Sequence, residues 1–134
     1  MQRLDIENIL RVHEEVIRSS GGSQGVRDRP PLESALAQPF QSFGGEDLYP
    51  GIVAIGAALA YFIIQNHPFV DGNKRTGHAA LEIFLNMNGY EIVADENEQE
   101  LIILGVASSE INQNQFREWL AGSILPLDPQ FSIN

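Results

Sequence analysis

The stretch Asn66–Ala80, NHPFVDGNKRTGHAA, gathers residue types that move protons and hold phosphate. His67, Asp71 and Arg75 follow one another at intervals of four, a spacing that would align them on a continuous helix. Pro68 and Gly72 argue instead for a loop over Pro68–Asp71, with a helix beginning near Gly72 or Asn73. The N–H groups of Gly72, Asn73, Lys74 and Arg75 would then be unpaired donors at a helix start. Together with the positive end of the helix dipole, such donors make an anion site. Gly72 lets a ligand come close to the backbone. Lys74 and Arg75 add positive charge, and a guanidinium can fork two phosphate oxygens. Asp71 beside a phosphate suits magnesium, which takes one or two carboxylates plus phosphate oxygens and waters. His67, at the rim, is of the residue type suited to taking a proton from an incoming hydroxyl. Phe69 is expected to point inward and pin the loop. His78, one turn past Arg75, reads as a helix-surface residue. These residues indicate a phosphate-binding site, with an enzyme favoured over a passive binder.

The charge distribution sets this stretch apart. The 134 residues carry a formal net charge of −10, so a broad basic face for direct nucleic-acid binding is not expected. Five of the eight cations lie at or before Arg29, and from Pro30 to Phe116 the only Lys or Arg are Lys74 and Arg75. In another context that dipeptide would be an ordinary solvated pair; here its neighbours make it a local anion site. The length suits a single domain, 1–134, and 43% apolar residues suffice for a packed core. Cysteine is absent, which excludes disulfides and thiolate zinc sites and suits a reducing cytoplasm. The opening MQRLDIENIL lacks the basic start and apolar core of a secretory leader. The apolar run from Gly51 to Ile64 is too short to span a bilayer, so no membrane association is expected.

The elements that must position the site follow from periodicity and punctuation. Leu4–Ser19 reads as a helix with Asp5 as N-cap and Gly21-Gly22 at its end. His13 reads as a helix-face residue, because no second ligand stands at i+4. Pro31 suits the first turn of a short helix carrying Leu32, Ala35 and Leu36, which Pro39 stops. The segment FQSFGGEDLYP reads as an exposed connection. Its aromatics Phe40, Phe43 and Tyr49 either pack it onto the core or border a cleft. Gly51–Gln65 is apolar on every face, as expected of a helix buried at the centre of a bundle, and Pro68 ends it so that His67 falls at its carboxyl end. Asn73–Asn88 resumes helical spacing until Gly89. YEIVA reads as a short extended segment. Asn97 with Glu100, and Asn112 with Gln115, form capping-box patterns ahead of two further helices. After Pro126 an irregular tail is expected. The sum is an all-α fold of about six helices around a buried central helix.

At His67-Pro68-Phe69-Val70-Asp71-Gly72-Asn73-Lys74-Arg75 the sequence resembles the Fic/Doc family, and within it the Doc (death-on-curing) toxins. The family pattern is His-x-Phe-x-(Asp/Asn/Glu)-(Gly/Ala)-Asn-(Gly/Lys)-Arg. The likeness extends to FGGEDLYP before the central helix and LNMNGYEI after the motif helix. It implies the compact Fic/Doc helical bundle, His67 as the catalytic residue that activates a target hydroxyl, and Asp71 as the magnesium residue. It further implies Gly72, Asn73 and Lys74 as the anion-binding loop, Arg75 as the phosphate-binding arginine, and the segment before the central helix as a flap lining the target site. Typical Fic enzymes carry glycine at the position of Lys74 and a further arginine at that of His78, and transfer AMP. Doc-like members carry lysine and lack that arginine. A lysine side chain fills room that glycine leaves for the α-phosphate, and His78 cannot replace an arginine fork. The resemblance therefore implies an ATP- and magnesium-dependent protein kinase acting on a threonine of elongation factor Tu, blocking translation and restrained by a cognate antitoxin. The alternatives are a Fic-type AMP transferase and a non-catalytic nucleotide- or partner-binding module. SFGGED, Ser42–Asp47, is the nearest match to the family's inhibitory helix motif, but it ends in Asp within a glycine-bearing loop and reads as coincidence.

Overall fold

The computed structural model describes residues 1–127. It contains six α-helices: α1 (Ile6–Ser20), α2 (Arg29–Ala37), α3 (Gly51–Asn66), α4 (Asn73–Met87), α5 (Glu96–Ala107) and α6 (Gln113–Ala121). Four short strands accompany them: β1 (Ser42–Phe43), β2 (Glu46–Asp47), β3 (Tyr90–Ile92) and β4 (Ile124–Pro126). The fold is all-α in character, as the sequence predicts. Among the described residues no helix is long and apolar enough to cross a membrane. The tail expected after Pro126 lies, beyond Leu127, outside the described residues.

The central helix is α3, and its composition explains its place. Ala54, Ile55, Gly56, Ala57, Ala58, Leu59, Ala60, Ile63 and Ile64 are all buried, so it meets neighbours on every side rather than along one stripe. Helix α4 crosses it closely. A Cβ on Gly77 would lie 2.7 Å from Ile64 Cγ1 and 3.2 Å from the Ala60 carbonyl, so glycine there sets the distance between the two helices. Thr76, Ala80, Leu81, Phe84 and Leu85 complete the buried face of α4. Helix α1 contributes the stripe Ile9, His13 and Ile17, four residues apart and thus on one face.

One local expectation is corrected, and two others are filled in. Helix α5 begins earlier than the Asn97/Glu100 pattern implies: Asp95 is the N-cap, and its side chain accepts from the Asn97 N–H. An Asp next to an acidic first turn outcompeted the box. By contrast, Asn112 and Gln115 do close a reciprocal capping box ahead of α6. The connection before α3 is exposed, as the sequence predicts, and within it β1 and β2 pair as an antiparallel hairpin, Ser42 with Asp47 and Phe43 with Glu46. The extended segment at Tyr90–Ile92 has a partner the sequence does not advertise: β4 pairs antiparallel with it, Ile92 opposite Ile124.

Candidate functional site

The site is built where α3 stops and α4 starts. Asn66 is the last residue of α3, and His67 takes a left-handed conformation, φ 47° and ψ 53°. For a residue with a Cβ this costs about 1–2 kcal/mol, and Pro68 then keeps the chain out of the helix. Gly72 is also left-handed, φ 78°, and forms the N-cap of α4. The chain thus turns sharply twice within six residues. His67 is exposed while Pro68, Phe69, Gly72 and Asn73 are buried.

Four neighbours hold the loop. The Pro68 carbonyl accepts from the N–H groups of Arg27 (2.8 Å) and Asp28 (3.1 Å), and Val70 N–H donates to the Gly25 carbonyl (3.1 Å). Val26 and Phe69 form an antiparallel bridge. From within, Asn73 clamps Phe69: its Oδ1 accepts from Phe69 N–H (2.9 Å) and its Nδ2 donates to the Phe69 carbonyl (3.0 Å). That pair of bonds fixes which end of the amide is which. Phe69 itself is inward and buried, as the sequence predicts. Its ring stacks on His13 at 3.8 Å and 4°. His13, read from sequence as a helix-face residue, is only 3% exposed, and its Nε2 lies 2.7 Å from the Asp71 carbonyl.

The N–H groups of Asn73, Lys74 and Arg75 occupy the first turn of α4, where no helical acceptor exists. Gly72 N–H is not free, since it donates to Asp71 Oδ1 at 2.8 Å. Asp71 Oδ2 accepts from Ser23 N–H at 3.1 Å. Those two N–H groups, Ser23 before Gly72, hold the Asp71 carboxyl below the usual carboxylate range, and the Arg75 guanidinium adds to the effect. Arg75 Nη2 is 3.7 Å from Asp71 Oδ1. Arg75 Nη1 donates to Ser20 Oγ and, at 2.8 Å, to the Gly21 carbonyl. Arg75 therefore also ties the end of α1 to the motif, which local spacing does not reveal. Lys74 is exposed and makes no ion pair among the described residues.

An open cleft of about 680 Å³ is lined by His67, Val70, the run Asp71–Arg75, and Leu104, Ala107 and Ser108 of α5. All the expected site residues except the loop anchor Phe69 meet in it. No hairpin residue lines it. Phe40 and Tyr49 pack against the core, whereas Phe43 is 80% exposed.

Asn73 Nδ2 lies 3.4 Å from His67 Nδ1, and the fixed amide can only donate. Among the described residues no three His, Cys, Asp or Glu side chains converge as a metal cage. Asp71 alone faces the cleft as a carboxylate. Each of its oxygens accepts one N–H, leaving further lone-pair capacity on both. This donor set fits an ion shared with phosphate and water, not one enclosed by protein.

His78 is a correction to the surface reading. It is half-buried between α4 and α5, with Nε2 at 2.8 Å from Gln99 Oε1 and 3.4 Å from Glu82 Oε1. Gln99 Nε2 donates to the Ala94 carbonyl, which fixes Oε1 as the acceptor. The hydrogen bond to Glu82 raises the His78 pKa, with burial opposing and Gln99 assisting; Glu82 is lowered in turn.

Fold and loop together define a helical domain that sets a histidine, a carboxylate and an open helix start around one cleft. The chain belongs to the Fic/DOC family, whose model matches residues 3–85. It is 38% identical over 104 residues to Toxin Doc of Mycolicibacterium smegmatis, covering 76% of this chain and 80% of that protein. It is 24% identical over 120 residues to Protein kinase doc of Escherichia phage P1, covering 90% and 94% respectively.

Proposed function

We propose that the chain is a Doc-type toxin: a protein kinase that transfers the γ-phosphoryl group of ATP to a protein hydroxyl. The observation that carries this reading is the cleft in which His67, Lys74 and the free N–H groups of Asn73, Lys74 and Arg75 meet. The names of the two relatives, a toxin and a protein kinase, support it. In this reading the N–H groups at the start of α4 bind phosphate oxygens, and Lys74 adds charge where a glycine would leave space. The acceptor oxygen attacks the γ-phosphorus, the bond to the bridging oxygen breaks, and ADP leaves with that oxygen. His67 takes the hydroxyl proton on its unprotonated ring nitrogen. Magnesium held by Asp71 would neutralise phosphate charge. The acceptor class implied is a threonine of elongation factor Tu, with a cognate antitoxin as the restraining partner and the cytoplasm as the setting.

The test is incubation with ATP, magnesium and elongation factor Tu, read by intact mass. Addition of one phosphate is expected, and His67→Ala should slow it by roughly 10²–10⁴-fold. Addition of AMP would establish the Fic-type reaction instead. No transfer, together with growth arrest that survives His67→Ala, would leave a binding module.

A further inference from the structure

His13 lies 58 residues before Asp71 in the chain and does not line the cleft with the motif. Yet it is the one ring on α1 that touches the loop at two points. Its face lies against Phe69, and its Nε2 is 2.7 Å from the Asp71 carbonyl oxygen. A carbonyl can only accept, so Nε2 carries the proton and donates.

The bonded carbonyl belongs to the Asp71–Gly72 peptide, which is trans. In a trans peptide the C=O and the N–H point in opposite directions in one rigid plane. Fixing the carbonyl toward α1 therefore fixes the Gly72 N–H on the other side. That N–H is the group that holds Asp71 Oδ1 at 2.8 Å. Gly72 has φ 78° and no Cβ, so rotation of this peptide plane meets little steric resistance from the residue itself. Something outside the loop must hold the plane.

We infer that His13 is a positioning residue of the site: by donating from Nε2 to the Asp71 carbonyl, with its ring braced on Phe69, it locks the Asp71–Gly72 peptide so that the Gly72 N–H fixes the Asp71 carboxylate at the cleft. Histidine suits the task because one planar side chain supplies both a stacking face and an in-plane donor. The consequence for ligands rests on the reading of Asp71 as the magnesium residue. The consequence for the peptide plane does not.

Three measurements test it. In the wild-type protein, ring-nitrogen NMR must find a proton on His13 Nε2; a neutral ring protonated on Nδ1 overturns the inference without any substitution. Next, His13→Phe keeps a ring against Phe69 and removes the donor, while His13→Gln keeps a donor and loses the ring. Amide exchange at Gly72 should quicken at least about tenfold in His13→Phe, partly recover in His13→Gln, and stay unchanged in the core of α3. An unchanged Gly72 rate in folded His13→Phe overturns the inference. Last, ATP affinity in magnesium should fall about tenfold in His13→Phe, in the range seen when a residue orienting a metal ligand is lost, and should not change in EDTA. Equal losses in both buffers would mean that His13 does not act through Asp71. If the wild-type protein binds no nucleotide, the kinase reading fails, while the tautomer and the Gly72 exchange rate still decide the role of His13.

Discussion

The two loops that flank α3 are built in opposite ways. The one before it, around β1 and β2, is held mainly by its own short pairing and a Leu48–Gln41 backbone bond, with Phe43 and Leu48 exposed. The one after it, Pro68–Gly72, is stapled to Gly25–Asp28, clamped by Asn73, stacked on His13 and tied near its end by Arg75. In the proposed kinase the difference would separate two tasks. Groups that act on a proton or a phosphate must be held within a fraction of an ångström, so their loop is braced from several elements. A segment that meets a protein partner has no such need, and its local stability can be low.

If the second loop is braced as described, breaking its anchor should have the largest effect. Phe69 is 1% exposed, and Phe69→Ala should cost about 3–5 kcal/mol, seen as a lower denaturant midpoint with transfer activity lost in parallel. Asn73→Ala comes next. It leaves the buried Phe69 N–H and C=O without the amide that satisfies both, at about 1–3 kcal/mol. Loss of activity should exceed what the stability loss explains, because His67 also loses its neighbour at Nδ1. An Asn73→Ala protein with full activity would break the comparison.

How much of this is legible in the sequence depends on the range of the interaction. The loop and the start of α4 are written locally: Pro68 forbids continuation of α3, and Gly72 supplies the left-handed cap. Burial of α3 is equally legible, because its residues are apolar at every phase of the helix. The bracing is not. His13 reads as one more residue of an amphipathic stripe, since its acceptor belongs to a residue far along the chain. Arg75 reads as a phosphate fork, and nothing nearby announces that Ser20 and Gly21 accept from it. Strand β4 is short and ends in proline, so only its pairing with Tyr90–Ile92 identifies it. The signal for His13 was present in principle: a histidine at the buried phase of α1, between Ile9 and Ile17, needs a polar partner somewhere.

The hairpin supplies the opposite prediction. Phe43→Ala removes a side chain that is 80% exposed, so stability should stay within about 0.5 kcal/mol of wild type. If the hairpin serves as the flap of the proposed kinase, KM for the protein acceptor should rise while ATP affinity holds. A large stability loss would show that the hairpin is braced after all, and the contrast between the loops would fall.

A pH-dependent effect asks how far the braced region extends along α4. One turn past Arg75, His78 joins α4 to α5 through Gln99 and pairs with Glu82. Its pKa is raised from 6.5, first by the hydrogen bond to Glu82. A group whose folded pKa is raised stabilises the fold fully below its unfolded value and loses that contribution as pH rises through the folded value. Stability should therefore decline slightly from about pH 6.5 upward, by under about 1 kcal/mol because Glu82 is half exposed. Glu82→Gln should flatten that decline, measured as denaturant midpoint against pH. The same variant should leave amide exchange at Val70 and Gly72 unchanged. Their acceptors are Gly25 and Asp71, neither of which belongs to α4 or α5, so the rigidity that positions the site comes from α1 and the segment after it rather than from the α4–α5 contact.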